Sequence, residues 1–394
     1  MIRTNSRVDT MSMPKTPKTN RRPGALAPGS IASRLKGLVR MAFFELFAYV
    51  KGVDVLGSTI VRELPTDSPY QAWLEKAKTE IPVYEGPGIE DISTIPLDSW
   101  PQMGQGVTGL YLRFADFQIL DARILEIPAN GNTISQRQFC EQGIYFIQGS
   151  GYTILQQEGK PEQRVSWSSG DLLSVPLNVR HRHFSNGEAP ARMLVVSSFP
   201  MILNLMGTEK FISENPFVFN DRYDGRQDYF RPVDDECDLF VNTNIARDIR
   251  HTRTRSFDYR GKGNTTIRLL MAGNITLGIH VSEMPPRAYK KAHRQSGEAF
   301  VLILSGDGYS LAWPEGAWYK KRRVDWKAGT LFSPPIYWYH QNFNAGSSPA
   351  RYLAINTPTP VRNLGLRFSD QLEVDLDEIK KEWEKELEKR QRGE

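Results

Sequence analysis

Histidines and amides at regular spacings are the side chains in this sequence best suited to chemistry. His293 and Gln295 lie two positions apart, so they would face the same side of a β-strand. His340, five positions after Pro335, would enter from another strand. Two imidazoles presented together can bind a transition metal, whereas an amide oxygen is a weak ligand for one. We therefore expect His293, Gln295 and His340 to converge within a few ångströms.

An internal repeat predicts the scaffold that positions these residues. Residues 165–194 align with residues 324–353 at an offset of 159, with thirteen identities in thirty positions. Upstream, residues 149–152 align with residues 306–309 at an offset of 157. Two copies of one fold are therefore expected in tandem, and the change of offset predicts an insertion in a hairpin.

The repeated segments are typical of an all-β fold. Over about residues 106–200 and 266–358, short runs of β-branched and aromatic residues are separated by Gly and Pro. Helices are expected outside these segments: one begins near Ser68, and one covers about residues 375–390, where apolar residues recur every fourth position. The acidic, aromatic-rich residues 207–264 are expected to be ordered on the barrels.

Each copy contains a Gly-x5-Pro-x4-His motif, which resembles the second motif of the cupin superfamily. The motif residues are Gly170, Pro176 and His181 in the first copy and Gly329, Pro335 and His340 in the second. The run that begins at His293 resembles the first motif of bicupins related to gentisate and salicylate ring-cleaving dioxygenases. The resemblance implies two tandem jelly rolls, to which the sequence adds helices at both ends.

The expected organisation follows from these segments. It comprises a disordered basic tail (1–33), a helical N-terminal extension (34–105), a first cupin domain (106–206), an ordered connector (207–264), a second cupin domain (265–360) and a C-terminal helix (361–394). Residues 33–50 are apolar around most of a helix, so they are expected to pack on a barrel or on another subunit. A membrane surface is the alternative. The resemblance to bicupins also implies a homo-oligomer.

The resemblance further implies where a cupin metal would bind. In the first copy those positions hold Gln136, Gln138, Gln142 and His181. Neutral amides are poor ligands for iron, so this set is expected to be free of metal. The three amides can instead hydrogen-bond to one another, since each has donors and an acceptor. Glu141 is one position out of phase and should face the other side of its strand.

In the second copy the implied ligand positions are His293, Gln295, Ala299 and His340. Relatives of the gentisate type use three histidines for iron, so this set would give at most a weak site for Fe(II) or Mn(II). Glu298 is again one position out of phase and would reach a metal only through a bulge. His280 has no partner at motif spacing and is expected to be structural.

Two functions from different classes are compatible with these residues. In the first, the protein binds a small molecule in a barrel pocket without catalysis. Tyr337, Trp338 and Tyr339, beside His340, would then form an aromatic wall suited to a planar ligand. In the second, the protein is a metal-dependent dioxygenase that cleaves aromatic rings in the second barrel only. The missing histidines favour the first.

Charge and cysteine content argue against other classes of protein. Residues 1–40 hold nine Lys and Arg and one acid, whereas the rest of the chain has a net charge of −3. The body therefore lacks the basic character of a nucleic-acid-binding protein. Two cysteines, Cys140 and Cys237, exclude a disulfide framework and indicate a cytoplasmic location. The basic tail makes a mitochondrial location the alternative.

Overall fold

Two β-barrels in tandem form the body of the protein in the computed structural model, which describes residues 67–114, 117–232 and 239–393. Strands up to residue 197 are, in chain order, β1 (Val83–Gly86), β2 (Gly88–Ile89), β3 (Asp98–Ser99), β4 (Thr108–Phe114), β5 (Asp121–Ile127), β6 (Gln142–Gln148), β7 (Ser150–Gln156), β8 (Gln163–Ser168), β9 (Leu172–Val175), β10 (Arg180–Ser185) and β11 (Ala191–Ser197).

The later strands form the second barrel and complete the first. They are β12 (Phe240–Asn242), β13 (Ile245–Ala246), β14 (Arg255–Ser256), β15 (Thr265–Leu270), β16 (Gly278–Met284), β17 (Ala288–Tyr289), β18 (His293–Gln295), β19 (Ala299–Ser305), β20 (Asp307–Trp313), β21 (Arg322–Lys327), β22 (Leu331–Phe332), β23 (Tyr339–Asn344), β24 (Ala350–Asn356) and β25 (Ser369–Gln371). The α-helices are α1 (Pro69–Ala77), α2 (Phe199–Met206), α3 (Glu209–Glu214), α4 (Pro358–Asn363) and α5 (Asp377–Gln391).

Each barrel has a large sheet and a small sheet, and the two large sheets match strand for strand. The large sheets have the orders β1-β4-β5-β11-β6-β9-β13 and β12-β15-β16-β24-β19-β22-β2. The small sheets contain β10-β7-β8 and β23-β20-β21, the latter extended by β18 and β25. His181 pairs with Leu155, and His340 pairs with Ala312 at the equivalent place. The predicted tandem jelly-roll fold is confirmed.

The segments that lead into each barrel are shared between the two. β1 joins the first barrel, but β2, two residues later, pairs with β22 of the second. Likewise β12 joins the second barrel, and β13 pairs with β9 of the first. The expected helical extension (34–105) is corrected over residues 67–105, which contain α1, one short 3₁₀ turn and three strands that hydrogen-bond to the barrels. Residues 34–66 lie outside the described residues. The connector (207–264) is ordered in its described part and supplies barrel strands in the same way.

The helices that the sequence predicts around residues 68 and 375 are present. Ser68 caps α1 by accepting a hydrogen bond from the backbone N–H of Gln71 at 3.2 Å. On α5, Ile379 and Trp383 are buried against aromatic residues of the second barrel. Their four-residue spacing puts them on one helical face, as expected.

The outer faces of the two large sheets pack against each other in one apolar core. Leu112, Ile124 and Val196 of the first barrel share this core with Leu269 and Ile355 of the second. All five are almost fully buried. Because the core is formed by both barrels, their burial of apolar surface stabilises both together.

At this interface, one buried carboxylate of each barrel accepts hydrogen bonds from a loop of the other barrel, at equivalent positions of the repeat. Glu141 accepts hydrogen bonds from the backbone N–H groups of residues 275–277, in the loop between β15 and β16. Glu298, 157 positions later, accepts them from residues 118–120, in the loop between β4 and β5. Both side chains point away from their barrel interiors, as their phase in the sequence predicts.

Some sequence predictions concern residues beyond those described. The tail (1–33), the helix at 33–50 with its membrane-surface alternative, and Cys237 lie outside the described residues. Within residues 67–114, 117–232 and 239–393, no helix has both the length and the apolarity that crossing a membrane requires. The cytoplasmic location, its mitochondrial and peripheral-membrane alternatives and the homo-oligomer stay predictions.

Candidate functional site

A polar cavity of about 170 Å³ lies inside the second barrel and opens beside the exposed residues Arg367 and Phe368. β18 and β23 run side by side along one wall and pair His293 with His340. The two ring centroids are 4.2 Å apart, and Gln295 lines the same cavity. The structure therefore brings together the three residues that the sequence placed at one site.

The two imidazoles are held by backbone carbonyls behind them. Nδ1 of His293 donates to the carbonyl of Lys291 at 3.2 Å, and Nδ1 of His340 donates to the carbonyl of Trp338 at 3.4 Å. These bonds leave each Nε2 as the free acceptor. Burial lowers the pKa of His340 to about 4 and the pKa of His293 well below 6.5. Both rings are therefore neutral at pH 7.

Positive charge dominates the rest of the lining. Arg260, Arg268, Lys290 and Arg367 all line the cavity. In the described part of the chain, the lining contains no Asp or Glu. Burial, with Lys290 and then Arg268 beside it, lowers the pKa of His280, another lining residue, to about 3. The cavity thus combines guanidinium and ammonium groups with neutral imidazoles.

A tyrosine and a lysine are paired inside this cavity. The Lys290 ammonium donates a hydrogen bond to the Tyr352 hydroxyl at 2.7 Å, and both side chains are buried. Ser282 lies directly across the strand ladder from Tyr352. Burial alone would raise the pKa of the Tyr352 phenol, but the charge and hydrogen bond of Lys290, together with Ser282 and Arg260, outweigh it and lower the pKa below 10.

A transition metal does not fit these residues. The donors that face one another are two imidazoles and the amide of Gln295, and Ala299, the fourth position that the resemblance implies, has no side-chain donor. Among the described residues, no group of three His, Cys, Asp or Glu is arranged to hold a metal ion. Lys290 and Arg268 also place positive charge in the cavity, which opposes a divalent cation. The donor set therefore does not support even the weak site for Fe(II) or Mn(II) that the resemblance allowed.

Comparison with known proteins finds similarity only among solved structures. No protein-family model and no curated protein matches the chain. An oxalate decarboxylase from Lactobacillus farciminis, in a formate complex, is 12% identical over 75% of this chain and 91% of its own, with a TM-score of 0.49. A mutant oxalate decarboxylase from Bacillus subtilis is 14% identical over 82% and 88%, with the same TM-score.

The matching strand orders of the two barrels decide the fold. The chain has a bicupin fold. At these identities and TM-scores, the oxalate decarboxylases add nothing about which reaction or ligand belongs to this chain. The residues of its own two barrels are the more informative comparison.

The first barrel of the bicupin holds the predicted amide set. Gln138 donates to Gln136 at 3.3 Å, and Gln142 donates to Gln138 at 2.6 Å. Gln136 also pairs with His181 across an isolated bridge. Burial lowers the pKa of His181 to about 4, so this ring is neutral as well. The three amides hydrogen-bond to one another as the sequence predicts, whereas Nε2 of the buried His181 has no partner among the described residues.

The two barrel interiors differ at equivalent positions. The strand registers equate residues of the second barrel with residues of the first as follows: Arg268 with Tyr111, His280 with Arg123, Lys290 with Thr133 and Tyr352 with Met193. Met193 and Tyr111 belong to the apolar core of the first barrel. At three of these four positions the second barrel has the more polar or cationic side chain, whereas Arg123 supplies a cation in the first.

Helix α1 closes the end of the first barrel that corresponds to the open mouth of the second. The Tyr70 hydroxyl lies 3.1 Å from the Tyr111 hydroxyl, which donates to Asp121 at 2.7 Å. Trp73 of the same helix packs edge-on against Phe199, with ring centroids 4.8 Å apart. At the mouth of the second barrel the lining includes the exposed Arg367 instead.

The predicted aromatic wall is not part of the cavity. Tyr337, Trp338 and Tyr339 are all absent from its described lining. Tyr337 has a φ of 63° and is 55% exposed, because the chain turns there before β23 begins. Tyr339 faces the opposite side of β23 from His340, and its hydroxyl donates to Asp370 at 2.5 Å. The pocket-lining prediction for these three residues is therefore corrected.

Four lining residues were not singled out from the sequence, and a fifth was misassigned. His280, expected to be structural, lines the cavity, and Arg260, Arg268, Lys290 and Tyr352 surround the same space. Arg268, His280 and Tyr352 come from separate strands, while Arg260 ends a 3₁₀ turn and Lys290 follows β17. None of the five matches a motif. The available signal was the internal repeat, because aligning the two copies sets Arg268, Lys290 and Tyr352 against Tyr111, Thr133 and Met193.

Proposed function

We propose that the second barrel binds a small molecule that carries a carboxylate group. The observation that carries this proposal is the charge of the cavity: Arg260, Arg268 and Lys290 line it with no acidic side chain among the described lining residues. Guanidinium and ammonium groups bind carboxylates through charge-assisted hydrogen bonds. In a partly desolvated cavity such bonds are stronger than at the surface.

The dimensions of the cavity support a small ligand. A space of about 170 Å³ suits a molecule of roughly six to ten non-hydrogen atoms, since cavities near that size hold benzene. Phe257 and Phe368 also line the cavity and offer apolar contacts beside the charges. Both aliphatic and aromatic acids of this size therefore belong to the proposed class.

Of the two functions that the sequence allowed, the site supports binding over ring cleavage. A ring-cleaving dioxygenase would need a metal to activate dioxygen, and the donor set described above does not suit one. The positive groups that oppose a metal are the groups that would attract an anion.

Calorimetric titration of the full-length protein tests this proposal. The panel contains acetate, pyruvate, malonate and benzoate, with acetamide and benzamide as neutral counterparts. We expect at least one acid to bind and its amide not to bind.

In Arg268→Gln the affinity for this acid should fall by about tenfold or more, because one charge-assisted bond is lost. Arg180→Gln, which changes an exposed arginine of the first barrel, is the matched control. Equal binding of acids and amides, or no loss in Arg268→Gln, would refute the proposal.

A further inference from the structure

Resting on the proposed carboxylate binding, we propose that Tyr352 is a catalytic residue that moves a proton to and from a carbon of the bound molecule. The substrate class is a small oxo-carboxylate, and the reaction is enolisation without a metal. This goes beyond binding, because it assigns a chemical step to the tyrosine and lysine pair.

Tyr352 lies where a proton-transferring group would have to lie, in the cavity wall and beside a cation. Its hydroxyl lines the cavity and is within hydrogen-bond distance of one described cation, Lys290, at 2.7 Å. The Lys290 ammonium is itself 3% exposed. Lys290 donates to the phenol oxygen and Ser282 is a second hydrogen-bond partner of this hydroxyl, so the phenol keeps a proton that it can give to Ser282 or to a ligand.

The groups around Tyr352 all favour its ionised form or are neutral. Lys290 and Arg260 are the charged groups that lower the pKa of its phenol, against the effect of burial. Arg268 lines the same cavity, and His280, with its ring centroid 6.1 Å from that of Tyr352, is neutral. In the described lining no carboxylate opposes this effect. A phenol in such surroundings exchanges its proton nearer to neutral pH than a free tyrosine does.

A purely structural role does not account for the pair. The first barrel folds on the same strand order with Met193 and Thr133 at the equivalent positions. The second barrel therefore does not need a buried ammonium and phenol at these positions to form the jelly roll. Burying an ammonium is costly unless it interacts with a partner. A cavity that uses the pair gives a reason for its presence.

The step balances without any further reactant. The Tyr352 phenolate takes a proton from the carbon next to the substrate's carbonyl group, and that C–H bond breaks. Its electron pair forms a C=C bond, while the carbonyl π electrons move to oxygen and give an enolate. The Lys290 ammonium stabilises the negative charge, and Arg268 holds the carboxylate. Return of the proton from the Tyr352 hydroxyl to carbon restores the oxo-acid, so nothing is oxidised or reduced.

Proton exchange into heavy water tests this inference. The full-length protein is mixed with pyruvate, 2-oxobutyrate or oxaloacetate in D₂O containing EDTA, and loss of the exchangeable C–H signal is followed by proton NMR. We expect exchange above the buffer rate. Tyr352→Phe should lower it by about a hundredfold or more, the usual range for an acid–base group. Tyr319→Phe, an exposed tyrosine outside the cavity, is the matched control.

Two further measurements separate catalysis from structure. Lys290→Met should move the pH at which exchange is half-maximal upward, because the phenol loses its neighbouring charge. Calorimetry should show that Tyr352→Phe still binds the oxo-acid. If the acids bind but do not exchange, or if Tyr352→Phe exchanges like wild type, this inference fails and the binding proposal stands. If no acid of either panel binds, both fail.

Discussion

Replacing Glu141 with glutamine is expected to lower the free energy of unfolding by about 3 to 5 kcal/mol, the usual result of breaking a buried ion pair on one side. The Glu141 carboxylate is 1% exposed and pairs with Arg222 at 2.7 Å. It also accepts the backbone N–H groups of Ile275, Thr276 and Leu277 at 2.6 to 3.1 Å. A glutamine at this position would leave the Arg222 guanidinium without its counter-charge. Its NH₂ group would also face the backbone N–H donors, with which it cannot form hydrogen bonds.

Equilibrium unfolding in urea, followed by tryptophan fluorescence, measures this loss. Glu158→Gln, which changes an exposed glutamate of the same barrel, should stay within about 0.5 kcal/mol of wild type. Because Glu141 fastens the first barrel to a loop of the second, both barrels should unfold in one transition that moves to lower urea. A Glu141→Gln variant as stable as the control would show that the carboxylate does not hold the interface.

The fold could be predicted because the sequence contains two copies of the same β unit. The thirteen identities between residues 165–194 and 324–353 include the glycines and prolines at turns, which local conformation demands. The phases of Glu141 and Glu298 also placed them on the outer face, since alternation along a strand is strict. What each carboxylate binds could not be predicted, because its partners lie in a loop of the other barrel.

The shared strands were missed for a related reason. β1 and β2 have the same roles as β12 and β13, yet their sequences differ at every position. The strands β2 and β13 are only two residues long, so they carry no periodic pattern. Backbone hydrogen bonds to the other barrel fix the position of β2 and β13. The local sequence of a strand gives no information about such distant partners.

The charge of the cavity was not predicted, whereas two of its three histidines were. His293 and His340 lie at motif positions, so their spacing identified them. Arg268, Lys290 and Tyr352 come from three separate parts of the barrel, and only the strand register shows that they face one another. The aromatic run at 337–339 was misplaced because Tyr337 lies in a turn and Tyr339 faces outward.

Glu298 gives the second large effect, which depends on pH. It has the same kind of contact as Glu141, with the backbone N–H groups of residues 118–120 at 2.7 to 3.0 Å. Within the described residues, however, it forms no ion pair comparable to that with Arg222. Burial raises the pKa of Glu298 to about 7, although the three N–H donors oppose this. The folded protein therefore retains this proton at pH values where the unfolded chain has released it.

Because the folded state binds the extra proton, stability falls as pH rises from about 4.5 toward 7. Between pH 5 and pH 8 this carboxyl should remove about 2 to 3 kcal/mol of unfolding free energy from the wild type. Glutamine does not titrate, so the free energy of unfolding of Glu298→Gln should not show this part of the pH dependence. The variant should therefore be closer in stability to the wild type at pH 8 than at pH 5, by the same approximately 2 to 3 kcal/mol. Urea unfolding of both proteins at the two pH values measures the difference. An equal change for wild type and variant would mean that Glu298 keeps an ordinary pKa, with its charge fully stabilised by the loop that it binds.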